Sequence, residues 1–341
     1  MEFTESCPVM DEFGRPVNFG WSRKPLFNYN PPLLGGPLRT RISEVDRYII
    51  FSATHLIVFE VMDSGLLGHV GVSIVSIKDH RRSTQNLDSF FSFGRFELPR
   101  SPKEGSVKIR EKQSSLDFIL MKSGARIIKV DYPRFGHHRY LRGEVVLSQA
   151  VPDAQSIVTV SPWRREKFAF RYSCCSPWYI TEGVMQFGTA EIYFTKDNAW
   201  GIYDWKREVR PRRDIRYWAS ACGMANGRLV GFSVSRGLSD ESAGSENAFF
   251  LDGVVHKLEQ VTFFVPAGGW MEEWKFTSSD KRLEMTFTPS QERVDHRRIF
   301  FHSTMCRQIC GTFSGRMILD DGNPIAFWNI TGFAELRKTR F

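Results

Sequence analysis

Short apolar or alternating runs, each about the length of a β-strand, recur along most of the chain. Residues 127–132, Ile-Ile-Lys-Val-Asp-Tyr, alternate with a two-residue period, which puts one set of side chains in a core and the other in solvent. Residues 48–51, 56–59, 107–110, 116–122, 126–132 and 141–147 read as strands. So do 167–172, 190–194, 228–235, 261–265, 273–277, 282–288 and 312–319. Asn226-Gly227, Asp252-Gly253 and Asp321-Gly322 are hairpin-turn pairs, because both turn residues must take positive φ. No segment sustains a capped helical period, so the pattern predicts little helix. Many short strands joined by tight turns require closed or doubled sheets, since open edges aggregate. The expected fold is all-β: two antiparallel barrel or sandwich halves over 46–180 and 181–341, with an extended, Pro- and Gly-rich lead-in over 1–45 packed on them. A propeller would repeat every ~40 residues, and no such repeat occurs.

Composition narrows the function classes. Of the 341 residues 42% are hydrophobic and 14% aromatic, with 29 Phe, enough for a core and for the lining of an apolar pocket. The net charge of +8 is spread out apart from Lys206-Arg207-Glu208-Val209-Arg210-Pro211-Arg212-Arg213, which reads as a solvated turn between strands. No zinc finger, basic zipper or RNP pattern accompanies it, so a nucleic-acid partner is not expected. There is no apolar signal core and no run of about 18 apolar residues, which predicts a soluble cytoplasmic protein without an integral membrane segment. Six cysteines lack disulfide or zinc spacing; Cys306 and Cys310, if on a strand, share a face as small core residues.

The densest unusual stretch is Trp200-Gly201-Ile202-Tyr203-Asp204-Trp205-Lys206-Arg207, followed by Arg216-Tyr217-Trp218-Ala219-Ser220. An Asp among aromatic rings is desolvated, which raises its pKa and suits it to protonate an alkene or carbonyl while the rings stabilise a cation. A structural Asp, hydrogen-bonded to a turn or paired with Arg207, is the plain alternative. Residues 235–250 form a long polar segment of the kind that serves as a binding loop or lid, and Glu246-Asn247 sets an acid beside an orienting amide. Asp204 and Glu246 are thus the candidate catalytic groups. Trp205, Arg207, Tyr217, Trp218, Ser220, Arg236, Asn247, Trp21 and Trp163 are the candidate ligand contacts, Trp21 also suiting a plug at a barrel end. His137-His138 and His296 read as solvated, whereas His69, His256 and His302 have the choice of a cavity or a structural place. No HExxH, Gly-x-Ser-x-Gly, P-loop or dinucleotide fingerprint is present, and no metal or cofactor is expected.

Several motifs together resemble one family, the domain of unknown function 2804. They are Gly20-Trp21-Ser22-Arg23-x-Pro25-Leu26, Pro162-Trp163, Glu182-Gly183, Gly201-x-x-Asp204-Trp205-x-Arg207, Tyr217-Trp218-Ala219-Ser220, Ser242 to Asn247 with Ala248-Phe249-Phe250-Leu251-Asp252-Gly253, His256-Lys257-Leu258, Leu319-Asp320-Asp321-Gly322 and Gly332-Phe333-Ala334-Glu335. That family is similar in fold to calycin-like proteins: carotenoid hydratases, tocopherol cyclases, AttH-like proteins and lipocalin-type Diels–Alderases. The resemblance implies two lipocalin-like halves with a ligand cavity within or between them, and carries no catalytic role. Arg207-Glu208, Ser173-Cys174-Cys175-Ser176 and Arg307-Gln308 depart from the family's usual residues. The expected function is a cofactor-free cyclase, isomerase or hydratase acting on an apolar terpenoid-, polyketide- or lipid-like substrate. The alternative is a non-catalytic carrier of a small hydrophobic ligand.

Overall fold

The computed structural model describes residues 1–79, 81–136, 139–299 and 302–340, so the His137-His138 pair lies outside the described residues. The lead-in carries three short strands, β1 (Cys7–Pro8), β2 (Gly20–Ser22) and β3 (Phe27–Asn28), then 3-10 turns at Pro31–Leu33 and Gly36–Arg41. The first sheet is built from β4 (Ile42–Ser52), β5 (His55–Asp63), β6 (Leu67–Ser76), β7 (Arg81–Phe90), β8 (Val107–Glu111), β9 (Ser114–Leu120), β10 (Arg126–Phe135), β11 (Arg139–Gln149), β12 (Ile157–Trp163), β13 (Glu166–Phe187), β14 (Ala190–Phe194) and β15 (Ala199–Val209). The second comprises β16 (Arg213–Ala225), β17 (Arg228–Gly237), β18 (Ala248–Leu251), β19 (Val254–Lys257), β20 (Val261–Phe264), β21 (Trp274–Ser278), β22 (Leu283–Ile299), β23 (His302–Ile318) and β24 (Pro324–Arg340).

The first sheet runs β7-β6-β5-β4-β15-β13-β11-β10-β9-β8 and curls into a nearly closed barrel; β2 extends it as a strand on β12. The second runs β19-β18-β17-β16-β24-β23-β22-β21-β20 and forms a half-barrel. The chain passes from one sheet to the other between Val209 and Arg213, later than the 180/181 position suggested by the sequence. That position falls inside β13, whose first part pairs with β12 and β15 and whose last part pairs with β11 and β14. Every strand expected from the pattern overlaps an observed one, with ends that differ by one or two residues at 116–122, 261–265, 273–277, 282–288 and 312–319. The Asn226-Gly227 turn joins β16 to β17 with φ of 52° and 74°, both positive as a type I′ hairpin requires.

Strand alternation sorts the side chains into three apolar layers. Tyr48, Phe59, Val72, Tyr172 and Trp205 fill the first barrel. Phe232, Trp274, Phe276, Phe287 and Phe313 fill the half-barrel, with the Phe287 and Phe313 rings stacked at 4.4 Å. Ile49, Leu56, Cys175, Ile202, Trp218, Cys222 and Phe333 make the third layer, between the two sheets. Cys306 and Cys310 share one face of β23, as expected, and the six cysteines are free. The strands β22, β23 and β24 outrun the half-barrel, and their far ends lie along β7, where Arg297 pairs with Asp88 at 3.0 Å and Arg82 donates to the Val294 carbonyl at 3.0 Å. Among the described residues no helix is long and apolar enough to cross a membrane.

Candidate functional site

The layer between the sheets is apolar at one end and densely charged at the other. β15 explains why. Tyr203, Trp205 and Arg207 point into the first barrel, whereas Asp204 and Lys206 point toward the second sheet. On neighbouring β4, Arg47 falls on the same side as Asp204. Its guanidinium meets Asp204 at 2.7 Å and Glu335 of β24 at 3.0 Å, and lies 4.7 Å from the Trp218 ring centre. Lys206 Nζ donates to Asp204 at 2.8 Å and stands 5.2 Å from the same ring, and Arg216 approaches it at 5.3 Å. Trp218 is thus surrounded by three cations, and its own Nε1–H is occupied by Ser233 Oγ at 2.9 Å. Glu246 accepts a hydrogen bond from Arg216. Arg337 joins Glu60 at 3.1 Å, and Gln308 donates to Glu335 at 3.1 Å.

Of these groups Arg47, Glu60, Lys206, Arg216 and Arg337 line a cavity of about 120 Å³, together with His69, Arg171 and further residues of both sheets, including the β22–β24 extension. His69 is held by a 2.7 Å hydrogen bond between its Nδ1 and Asp88, so its Nε2 edge is the one turned toward Glu60.

The electrostatics correct one expectation directly. Burial alone would raise the Asp204 pKa, but Lys206, Arg47 and Arg216 outweigh it and hold the carboxyl well below its ordinary range. Asp204 is therefore held ionised, the opposite of the raised pKa expected from its aromatic neighbours, and its partners are Arg47 and Lys206 instead of Arg207. Burial likewise opposes ionisation of Glu246, and Arg216 and Lys206 overcome it. Lys206 is shifted toward neutrality: burial, then the nearby Arg216, pull its pKa down to about 8 against the pull of Asp204. The basic cluster that contains it is not a solvated turn, since Arg207 and Arg210 are buried and only its last arginines reach the surface.

The remaining sequence candidates divide among other surroundings. Trp205 and Arg207 face the first barrel, where all five N–H donors of Arg207 are used by Asp46 and by the carbonyls of Val45, Pro99 and Lys206. Tyr217 points into the half-barrel, with its ring 5.8 Å from Phe263. Ser220 donates to the Phe232 carbonyl at 2.7 Å. Asn247 closes the 238–247 segment by accepting from the Ser235 N–H at 2.7 Å and donating to the Glu259 carbonyl at 3.0 Å. The end of that segment is buried and does not form a free lid. Arg236 is exposed and shares an open cleft with Trp163, Arg164 and Arg212. Trp21 lies on the β2 edge strand, with the Arg23 guanidinium 5.3 Å from its ring. Asp204, Glu246 and Trp218 are brought together, Trp163 reaches the same region only through Arg171, whose guanidinium lies 5.0 Å from its ring, and the others lie elsewhere. Arg47, Glu60, His69 with Asp88, Arg171, Glu335 and Arg337 belong to the same region, and of these the sequence marks only His69, as a cavity candidate, and Glu335, within a motif. Among the described residues no group of three His, Cys, Asp or Glu side chains stands ready to hold a metal.

A barrel and a half-barrel with a charged chamber between them define the class: a double-sheet calycin-like protein. The chain belongs to the family described as domain of unknown function (DUF2804), whose model matches residues 1–341. The fold is similar to that of CghA solved with Sch210972, at TM-score 0.54 and 8% identity over 89% of each chain. It is also similar to an AttH protein from Nitrosomonas europaea, at TM-score 0.52 and 13% identity over 90% of this chain and 96% of that one. No curated protein matches the chain in sequence.

Proposed function

We propose that this chain is an enzyme that moves a proton on an organic substrate, with the reaction an isomerisation, cyclisation or hydration. The substrate has an oxygen-bearing head and an apolar terpenoid-, polyketide- or lipid-like body, and the setting is cytoplasmic. The observation that carries the reading is Lys206, a buried ammonium with its pKa near 8 on the wall of a chamber that also holds the Asp88-oriented His69. A chamber of about 120 Å³ takes a head group, and the body extends outward past the β22–β24 rim. Arg47 and Arg216 favour negative charge developing on a carbonyl oxygen. His69 withdraws the proton as base, and Lys206 returns one to the oxygen or to a carbon. The catalytic assignment moves from Asp204 and Glu246, which keep Lys206, Arg47 and Arg216 in place, to Lys206 and His69.

Hydrogen–deuterium exchange into enolisable apolar ketones such as β-ionone, followed by NMR in D2O, tests this. The wild type accelerates exchange. Lys206→Met and His69→Gln each lower it by about 10²-fold or more while the fold is retained. Retained exchange in both variants refutes the assignment, and binding of the ketone without exchange in the wild type leaves the carrier reading in its place.

A further inference from the structure

A second cavity, of about 350 Å³, opens at the end of the first barrel, on the opposite face of β13 and β15 from the chamber. Arg126, Tyr179, Tyr203, Cys174, Leu120 and Met121 are among the residues that line it. Arg126 is buried at its floor. Its Nε–H reaches Tyr179 Oη at 3.4 Å, an Nη1–H donates to Tyr48 Oη at 3.0 Å, and an Nη2–H donates to the Pro102 carbonyl. The guanidinium also stacks 3.9 Å from the centre of the Tyr203 ring. None of these partners carries negative charge, and no carboxylate pairs with Arg126 among the described residues. Four other buried arginines are matched to acids: Arg47 to Asp204 and Glu335, Arg207 to Asp46, Arg171 to Glu208 and Asp214, and Arg216 to Glu246. A buried cation without a counter-charge is costly unless a ligand supplies one.

The geometry leaves two N–H groups of Arg126, one on each terminal nitrogen, without a partner in the chain. Two such donors match the paired oxygens of a carboxylate or a phosphate. The charges around the opening agree. Arg23, Lys24, Lys103 and Lys122 border the cavity with Asp153 as the one acid, so the mouth attracts anions. Leu120, Met121, Pro25 and Pro102 give the walls an apolar share. The size lies within the range of small-molecule sites. We infer that the end of the first barrel is a binding site for a small amphipathic organic anion, a carboxylate or phosphate monoester held by the two free donors of Arg126. The site is separate from the Lys206 chamber, and the inference stands whether or not that chamber is catalytic.

Calorimetric titration of the full chain with octanoate, octyl phosphate and octanol provides the test. Octanoate or octyl phosphate binds and octanol does not, and the tighter of the two anions identifies the head group. Arg126→Gln weakens anion binding by about tenfold or more. Because that substitution touches a buried network, two further variants keep the outcome decisive. The exposed-rim double variant Lys103→Gln/Lys122→Gln weakens binding several-fold and flattens its salt dependence. Leu120→Trp occupies the wall and abolishes binding. Lys206→Met, which alters only the other chamber, leaves affinity unchanged. Binding of neither anion, equal binding of octanol, or affinity indifferent to the rim and Leu120 substitutions overturns the inference.

Discussion

Arg47→Met removes the hub of the charged layer without removing much volume. In the native protein Arg47 is 2% exposed and neutralises Asp204 and Glu335, with Glu60 at 3.8 Å. Methionine preserves the aliphatic stem but leaves Glu335 with Arg337, at 3.4 Å, as its remaining cation, and leaves Asp204 dependent on Lys206. Breaking a buried pair by deleting one partner costs about 3–5 kcal/mol. With an unfolding entropy near 2.1 cal/mol/K per residue, a 341-residue cooperative unit loses about 1.4 °C per kcal/mol, so the expected fall in Tm is about 4–7 °C. The pH dependence adds a second signature. Burial raises the Glu335 pKa, but Arg47 and then Arg337 bring it down from 4.5 to about 2. The unfolded chain therefore binds the proton first, and the stabilisation is present above pH 4.5 and lost as pH falls toward 2. In the variant Glu335 takes up its proton earlier, so acid unfolding moves to higher pH. Scanning calorimetry from pH 3 to 7 measures both effects. Asp204→Asn in the same background costs less than it does alone, with a coupling of about 1 kcal/mol or more. A Tm within about 1 °C of the parent, or additive double-variant effects, refutes the view that this layer is a mutually dependent charge network.

Lys206→Met carries its own pH signature: the folded-state pKa near 8 lies below the unfolded 10.5, so the native protein gains stability as pH rises between those values. The variant lacks that rise, and the difference between the two denaturant-midpoint curves over this window measures it; parallel curves refute it. Asn247→Ala orphans the Ser235 N–H and the Glu259 carbonyl, costing about 1–3 kcal/mol for each that stays buried, which urea unfolding reads. Gly227→Ala meets no atom within 4 Å, so only the positive φ of 74° opposes it; a loss of about 1–2 kcal/mol is expected, and an unchanged midpoint would contradict the turn assignment.

The fold was legible where one strand face is wet and the other apolar, as in β10, or where a turn pair declares itself, as at Asn226-Gly227. In β15 and β16 buried charges interrupt the two-residue pattern, so the sequence shows clusters of unusual residues there and no clear strand. β7 is polar on both faces, and β6 is buried on both, so neither alternates. The site was legible only in part for a related reason. Asp204 and Trp218 stand out among aromatic neighbours, but the pKa of Asp204 depends on Arg47 and Arg216, which come from other strands. Nothing in the local sequence of Arg47 marks it as the partner of residues 157 and 288 positions away. Lys206 sits in a charge run of the kind that is usually solvated, and the tertiary burial that perturbs it has no one-dimensional signal.

β15 is a wall one residue thick with a room on either side. Its even positions Asp204 and Lys206 furnish one room, and its odd positions Tyr203, Trp205 and Arg207 furnish the other. Inserting or deleting a single residue in this stretch would exchange the two furnishings wholesale, setting charges among the barrel's aromatic rings and rings among the ion pairs. No intermediate register softens that exchange. Length variation among homologous sequences should therefore be absent from this strand and confined to the connections, while point substitutions at odd and even positions drift independently and allow each room to be refitted without disturbing its neighbour.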